Sequence, residues 1–153
     1  MRRTRIAAAT VMVAAGLIGA VAAPATAGKT HQLVGAFDQQ PGSTVSMKVK
    51  LNDKGKPKFV KSIRLSALSL TCGIPPTPGE SDPLEVPGRI RVKAGTKPPE
   101  YRKTLSFDGG FAELAVSGTL RKKGTLSTGR MDLTLGAGSG ACFGGGNFEA
   151  SKE

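Results

Sequence analysis

After His31, apolar and polar residues alternate in short segments, a pattern typical of strands with one buried face. The clearest segment alternates four apolar with four polar residues, in the order Val45, Ser46, Met47, Lys48, Val49, Lys50, Leu51 and Asn52. Leu114, Val116 and Leu120 face one way in the same manner, with Gly118 between them. Strands are also predicted at seven further places: 33–37, 59–65, 68–72, 84–92, 101–107, 126–135 and 147–150.

Glycine, proline, asparagine and aspartate mark where these strands reverse. Turns are predicted at four places: 39–42, 52–57, 108–110 and 122–124. Within 59–65, Phe59, Ile63 and Leu65 share the inward face. The apolar phase then shifts by one residue near Ser66-Ala67 and again near Thr128-Gly129, which predicts a β-bulge at each point. Pro87-Gly88 is predicted to kink the strand that contains it.

Three segments are predicted to be loops because of their proline or glycine content: 73–83, 94–100 and 136–146. Residues 73–83 contain four prolines, which lack the N–H that a central strand needs. Residues 136–146 are dominated by glycine, which lets the backbone pass close to a neighbouring strand and deliver Cys142 to Cys72. No predicted helix follows these glycines, so the segment lacks the strand-loop-helix context of a phosphate-binding loop.

The chain after residue 27 shows no helical pattern: no window of about 11 residues keeps apolar side chains at helical spacing. Instead, short strands and turn signals recur about every 8 to 12 residues. The sequence therefore predicts an all-β fold, an antiparallel β-sandwich or barrel of about seven to nine short strands. The 126 residues that remain after position 27 are enough for one such domain, 28–153.

The first 27 residues have the pattern of an export signal. Three arginines near the start precede an uncharged run over 6–23, and Ala25-Thr26-Ala27 supplies the small residues of a cleavage site. We expect a signal helix within 1–27 that is cleaved before Gly28, leaving a secreted protein without a membrane span. An uncleaved membrane anchor is the alternative, but Pro24 and the cleavage site argue against it.

Cys72 and Cys142 are the two cysteines of the chain. In an exported protein, a pair of cysteines most simply forms one disulfide. Free thiols and an intermolecular bridge are the alternatives. An intramolecular bridge would close a loop of about 70 residues and contribute about 4 kcal/mol in the chain-entropy model.

The charge outside the signal is strongly positive. Of the 22 lysines and arginines, three lie in the signal, so 19 face 11 carboxylates in the remainder. This excess of eight favours acidic partners. Nine basic residues are candidate polyanion contacts because neighbouring strands could bring them onto shared outer faces: Lys48, Lys50, Arg89, Arg91, Lys93, Arg121, Lys122, Lys123 and Arg130. Solvated strand faces and lysines that block edge-to-edge aggregation are the alternative.

The sequence contains no pattern of catalytic, metal-binding or cofactor-binding residues. His31 is the one histidine, and its position near the predicted new N-terminus predicts an exposed side chain. Most carboxylates fall in predicted loops or on outward positions, which disfavours a glycosidase pair. The chain has no tryptophan and one tyrosine, which disfavours sugar stacking. Specific nucleic-acid recognition would need interleaved aromatics or a reading helix, so we expect none.

Four short stretches resemble a known group of proteins: Leu68-Ser69-Leu70-Thr71-Cys72, Phe107-Asp108-Gly109-Gly110-Phe111, Ser117-Gly118-Thr119-Leu120 and Gly140-Ala141-Cys142-Phe143-Gly144-Gly145. Together they resemble small secreted actinobacterial all-β proteins of unknown function with two cysteines. In that group an aromatic residue, often tryptophan, precedes an alanine after the second cysteine, where this chain has Phe148-Glu149-Ala150. The resemblance implies a secreted all-β protein and no particular activity.

These observations favour a non-catalytic protein, secreted or associated with the cell envelope. Its expected partner is an anionic surface polymer or an acidic protein, held by the basic strand faces. A charge that serves only solubility is the alternative. A second hypothesis is a secreted inhibitor or toxin-like effector that acts through the proline-rich loop 73–83, because loops carry function more often than strands do. A hydrolase ranks third, so the chain is expected not to be an enzyme.

Overall fold

The computed structural model describes residues 28–153, so the predicted signal helix lies outside the described residues. Eleven strands follow in chain order: β1 (Thr30–Phe37), β2 (Gln40–Leu51), β3 (Pro57–Leu65), β4 (Ser69–Cys72), β5 (Thr77–Glu80), β6 (Leu84–Val86), β7 (Ile90–Lys93), β8 (Glu100–Phe107), β9 (Ala112–Arg121), β10 (Leu126–Leu135) and β11 (Cys142–Lys152). Three short 3-10 turns lie at Asp108–Gly110, Lys122–Gly124 and Gly138–Gly140, and residues 28–153 contain no α-helix. The all-β prediction is confirmed.

Eight of these strands form a closed antiparallel barrel. Their order around the ring is β1, β2, β3, β7, β8, β9, β10 and β11, and β11 pairs with β1 to close it. Closure removes the exposed edges that an open sheet would leave. Of the two predicted architectures, the structure is the barrel. The expected total of about seven to nine strands matches the barrel alone, and β4, β5 and β6 are additional.

Side chains at alternating strand positions fill the barrel interior. Large, fully buried ones come from six of the eight barrel strands, β1, β2, β3, β9, β10 and β11: Leu33, Met47, Ile63, Leu114, Leu120, Met131 and Phe148. Phe37 and Phe148 pack edge to face with ring centroids 5.8 Å apart, a favoured aromatic geometry. The inward positions predicted on β2 and β9 are confirmed. Burial of this apolar set is the main force that holds the barrel.

On the side away from β10, the strand β11 pairs with two neighbours in succession. Its first residues, 142–144, pair with β4, and its last, 148–152, pair with β1. The side chain of Gln40 lies at this fork: its Nε2 donates to the carbonyls of Gly145 at 2.7 Å and Ser69 at 3.3 Å, and its Oε1 accepts from the Ser69 N–H at 3.2 Å. One buried amide thus satisfies backbone groups that the diverging strands leave without a ladder partner.

We predict that Gln40→Ala destabilises the fold by about 1–3 kcal/mol, because it leaves buried backbone groups unsatisfied. The neighbouring Gln39 is exposed in the β1–β2 turn and provides a matched control. Gln39→Ala should change the free energy of unfolding by less than about 0.5 kcal/mol. Urea unfolding of both variants measures the difference, and equal midpoints would show that the amide is not needed at the fork.

Cys72 and Cys142 form a disulfide with an S–S distance of 2.02 Å, as predicted. The two residues are direct cross-strand partners on β4 and β11. The bridge closes a loop across 70 positions of sequence and ties the β4–β5 hairpin to the barrel. Its chain-entropy contribution of about 4 kcal/mol is large beside a typical net stability of about 5–15 kcal/mol.

The prediction that 73–83 is entirely a loop is wrong. Thr77–Glu80 forms β5, which pairs antiparallel with β4. Pro78 is tolerated because β5 is the last strand on its side of the sheet, where a missing N–H breaks no ladder bond. The tip of the hairpin exposes Ile74, whose accessible fraction is 84%.

The glycine-rich segment 136–146 is also not all loop. Gly144, Gly145 and Gly146 belong to β11, which starts at Cys142, and not to a short last strand from residue 147. A Cβ on Gly145 would overlap the carbonyl of Met131 on β10. Glycine is required because the two backbones approach this closely.

Two predictions about strand pattern are wrong, one on β10 and one on β3. The strand β10 keeps continuous register with both neighbours, so the predicted bulge near Thr128-Gly129 is absent. The shift in pattern arises because Ser127, and not Leu126, points inward. In β3 the register shifts opposite Lys48 and Val49, which turns Val60 inward and leaves Phe59 half-exposed, against the prediction.

Three further predictions, of a bulge, a turn and a kink, also differ from the structure. The chain between β3 and β4, at 66–68, is not a bulge but a break at which the chain leaves one strand for another. The β1–β2 reversal needs only Asp38 and Gln39, because β2 already starts at Gln40, inside the predicted turn. The predicted kink at Pro87-Gly88 is a full interruption between β6 and β7, both of which pair with β3.

Ser127 points inward because it has a buried polar partner. Its Oγ lies 2.8 Å from the hydroxyl of Tyr101, and the two side chains share one hydrogen bond inside the barrel. Tyr101 is 2% exposed. Burial raises its pKa to about 12, with the Ser127 hydrogen bond acting in the opposite direction. The neutral phenol is therefore favoured in the folded state.

We predict that this tyrosine lowers the stability of the folded protein at high pH. The unfolded phenol ionises near its ordinary pKa of about 10 while the folded phenol holds its proton, so the free energy of unfolding falls between pH 10 and 12, by about 2–3 kcal/mol. Tyr101→Phe should remove this part of the pH dependence, while lysine titration is common to both proteins. Tyr101 is the one tyrosine of the chain, so tyrosinate absorbance reports it directly; ionisation near pH 10 in the folded protein would contradict the prediction.

A cationic cleft at one end of the barrel

Three strand connections meet at one end of the barrel. They are the β2–β3 turn (52–56), the β7–β8 loop (94–99) and the β9–β10 turn (122–125). Because successive barrel strands run in opposite directions, alternate connections return to the same end. The disulfide and the β8–β9 turn lie at the other end, where β8 finishes and β11 begins.

The β2–β3 turn is organised by Asn52. Its side-chain Oδ1 accepts hydrogen bonds from the backbone N–H of Lys54 at 3.0 Å and of Lys56 at 2.9 Å. The backbone N–H of Asn52 donates to the carbonyl of Lys56 at 2.8 Å, and that of Gly55 donates to the carbonyl of Asn52 at 2.9 Å. Such a short polar side chain can replace ladder bonds in a turn. The turn backbone, and with it the root of Lys56, is thereby held in place.

The β7–β8 loop is organised by Thr96 and by prolines. The Thr96 Oγ1 donates to the carbonyl of Lys93 at 3.2 Å and accepts from the N–H of Glu100 at 3.1 Å, so one hydroxyl joins both ends of the loop. The N–H of Leu120 on β9 donates to the carbonyl of Pro99 at 2.8 Å. The loop is therefore fixed against the neighbouring strand.

The β9–β10 turn folds inward over the barrel end. Lys122 and Lys123 have positive φ angles of 46° and 56°, and Gly124 follows at 79°. A Cβ on Gly124 would lie 3.1 Å from Pro57 Cγ and 3.2 Å from Leu51 Cδ2. The turn thus packs on the hairpin from the opposite side of the ring, and glycine is required both for its φ angle and for this contact.

His31 holds the same turn from the other side. Its Nδ1 lies 3.1 Å from the carbonyl of Gly124 and donates to it. The residue is 6% exposed, so the prediction of an exposed His31 is wrong. The reason is that β1 begins at Thr30 and lies against β2, which buries the imidazole under the turn. A role for His31 in positioning the turn is what the sequence alone missed.

Between these connections lies an open cleft of about 830 Å³. Seven of the side chains that line it are cationic: Lys56, Lys58, Lys93, Lys97, Arg121, Lys122 and Lys123. The lining contains no carboxylate, imidazole or thiol. Six other lining residues are apolar: Pro57, Val92, Ala94, Pro98, Pro99 and Leu120. All seven cations are exposed, whereas Pro57, Val92, Pro98 and Pro99 are half-buried. We therefore call the cations the rim of the cleft and these four residues its floor.

Two neighbouring depressions have mixed charge instead. One is lined by Arg91, Lys93 and Arg102 together with Glu100. The other has Arg121 and Arg130 along with two carboxylates, Asp38 and Glu149. Among these three concavities, the cleft alone has a lining of a single charge sign, and this singles it out as a site for an anion.

The nine predicted polyanion contacts divide into two groups. Four of them line the cleft: Lys93, Arg121, Lys122 and Lys123. The other five lie outside it, on strands β2 and β10 and on or beside β7: Lys48, Lys50, Arg89, Arg91 and Arg130.

Two of the outside residues already have protein partners. Arg130 forms a bidentate ion pair with Asp132, with its Nη2 at 2.7 Å from Oδ1, and this carboxylate raises the pKa of the guanidinium above its ordinary value. Arg89 stacks over the Phe59 ring, with Cζ 4.9 Å from the ring centroid. These two arginines are therefore less suited to a ligand than the lysines of the cleft.

Sequence reasoning missed Lys56, Lys58 and Lys97 as members of one site. They belong to segments that were interpreted as turns or their flanks, at 52–57 and 94–100. The charges and their spacing within each turn do not show that the turns meet in space. The usable signal was topological, since an up-and-down barrel brings every second connection to one end.

Residues 28–153 contain no group of three or more His, Cys, Asp or Glu side chains placed to hold a metal ion. Within the same range no helix has the length and apolar character needed to cross a membrane. Comparisons with protein-family models, curated proteins and solved structures found no match. The cleft therefore has to be interpreted from its own chemistry.

We predict that Gly124→Ala lowers stability more than Gly55→Ala does. Both residues have positive φ angles, 79° and 69°, so both alanines carry the left-handed penalty of about 1–2 kcal/mol. The alanine at 124 also meets Pro57, Leu51 and Val49 at 3.1–3.3 Å, whereas Gly55 has nothing within 4 Å. Overpacking should add about 1–3 kcal/mol at position 124 alone. Urea unfolding measures both variants, and equal losses would mean that the turn does not pack on the β2–β3 hairpin.

Proposed function

We propose that the chain is a secreted, non-catalytic protein that binds an anionic polymer of the cell envelope, with the cationic cleft as its main contact and the basic strand faces as secondary ones. The observation that carries the proposal is the cleft lining, which holds seven cations and no carboxylate. An acidic protein is the other partner class that this charge would fit. The effector hypothesis for 73–83 stays a prediction.

The cleft cations are available to a ligand. The two ion pairs found within residues 28–153 are Arg64–Glu85 and Arg130–Asp132, and neither involves a cleft residue. The cations surround one cavity, where they repel one another. An anion that enters the cleft relieves this repulsion and gains several attractions at once, over distances comparable with the screening length of about 8 Å in physiological salt.

The chemistry of the lining favours binding over catalysis. Acid-base hydrolysis uses carboxylates or histidine, and nucleophilic hydrolysis commonly uses a serine or cysteine beside a base. The cleft lining has none of these groups. Its one hydroxyl, on Thr96, is used in holding the β7–β8 loop together.

We predict salt-sensitive binding that depends on the cleft. The purified protein is titrated with soluble polyphosphate, a sulfated polysaccharide and neutral dextran at low and at physiological salt. The two anionic polymers should bind and weaken as salt rises, because screening reduces exposed charge interactions. Lys97→Gln with Lys123→Gln should weaken binding about two- to thirtyfold, if each cation contributes about 0.2–1 kcal/mol.

Lys48→Gln with Lys61→Gln is the matched control. It removes the same charge from exposed positions of β2 and β3, outside the cleft. A smaller loss than in the cleft variant is expected. Equal losses in both variants would mean a diffuse field without a site, and no binding at low salt would refute the function itself.

A further inference from the structure

The floor of the cleft is a feature that binding of a simple polyanion does not use. Pro57 comes from the β2–β3 hairpin, Pro98 and Pro99 from the β7–β8 loop, and Val92 from β7. All four are half-buried, so part of each apolar surface faces the cavity. A phosphate or sulfate chain would occupy the rim and leave this surface in water. A ligand with an apolar part would cover it and gain hydrophobic free energy as well.

The dimensions fit one small molecule. A volume of about 830 Å³ lies within the range of roughly 300–1,000 Å³ that is typical of small-molecule sites. Such sites combine a mostly apolar lining with a few polar groups that orient the ligand. The cleft combines six apolar lining residues with seven cationic ones, whose ammonium and guanidinium groups would orient the ligand.

The cleft is also held in shape before a ligand arrives. Thr96 joins the two ends of the β7–β8 loop, Leu120 fixes Pro99 by a backbone bond of 2.8 Å, and Gly124 packs on Pro57. Proline residues limit the backbone further. A preorganised site loses little conformational entropy when it binds, which favours a specific ligand over loose adsorption.

From these observations we infer that the cleft binds one amphiphilic anion: a phosphate or carboxylate headgroup held by the lysines and arginines of the rim, with an alkyl or similar apolar part on the floor of Pro57, Val92, Pro98 and Pro99. The inference rests on the proposed function, because it uses the same cleft, and it names the ligand class. The lysine stems can add to the apolar contact, because their methylenes are apolar while the ammonium groups remain hydrated.

The test uses alkyl phosphates of increasing chain length, each below its micelle concentration, and measures binding to the purified protein by calorimetry. Affinity should rise about two- to fourfold for each added methylene until the chain fills the floor, which follows from the transfer free energy of a buried methylene. One ligand should bind per protein. An uncharged alkyl glucoside with the same chain should bind much more weakly, and equal affinity of the two would overturn the anionic part of the inference.

Two pairs of variants locate the ligand. Val92→Thr keeps the shape of the side chain but adds a hydroxyl to the floor, and should weaken octyl phosphate about two- to thirtyfold without changing polyphosphate binding. Val34→Thr, on a half-buried valine of β1 outside the cleft, is its matched control and should change neither. Lys97→Gln with Lys123→Gln should weaken both ligands. Weakening of octyl phosphate by Val34→Thr but not by Val92→Thr would overturn the placement.

The outcomes separate this inference from the proposed function. If polyphosphate binds but affinity does not depend on alkyl length, the amphiphile is excluded and the polymer proposal stands. If alkyl phosphates bind and the anionic polymers do not, the inference stands and the polymer proposal fails. If neither binds, both fail. Binding to vesicles that contain an anionic lipid, without binding to any monomeric alkyl phosphate, would overturn the inference in favour of a membrane surface.

Discussion

The pairing of β1 with β11 is the constraint on which the rest of the structure depends. Most other barrel neighbours are consecutive in sequence, but this pair joins the two ends of the described chain, with Leu33 opposite Lys152 and Phe37 opposite Phe148. The strands approach closely at Gly35, where a Cβ would overlap the backbone of Glu149. Without this contact the sheet would keep two open edges and its interior face would be exposed to water. Closure is therefore what turns a meander of hairpins into a core.

The two ends of the closed barrel are held together in different ways. At one end, the fork of β11 is held by Gln40 and by the Cys72–Cys142 bridge, both of which join segments far apart in sequence. At the other end, the connections are held by local hydrogen bonds within each turn, together with His31 and Gly124, and they present most of their lysines to water. The cross-links that resist unfolding and the charges suited to a ligand are thus separated, so mutations in the cleft lysines need not disturb the core.

Sequence reasoning worked where structure is determined by near neighbours, and it failed where a distant partner decides. Alternation from Val45 to Leu51 reports burial directly, because strand side chains point to opposite faces. The disulfide followed from having two cysteines in an exported pattern. By contrast, Ser127 lies inside the barrel beside its hydrogen-bond partner, the hydroxyl of Tyr101. His31 is buried under a turn whose Gly124 carbonyl, 93 positions away, accepts its hydrogen bond. Neither contact shows in the sequence pattern. The sequence therefore predicts a bulge near Thr128-Gly129 and an exposed His31, and both predictions are wrong.

The candidate site could not be predicted from the sequence for the same reason. Lys56, Lys97 and Lys122 belong to three separate turns, and each by itself is an ordinary solvated lysine. They become neighbours only when the ring closes and alternate connections meet at one end. Their mutual repulsion then weakens the free protein slightly, at a cost that high dielectric and flexible side chains keep small. The same repulsion adds to the affinity for an anion, because a ligand that neutralises the rim removes it. A cleft of one charge sign is in this sense prepared for its ligand by the electrostatics of its unbound state.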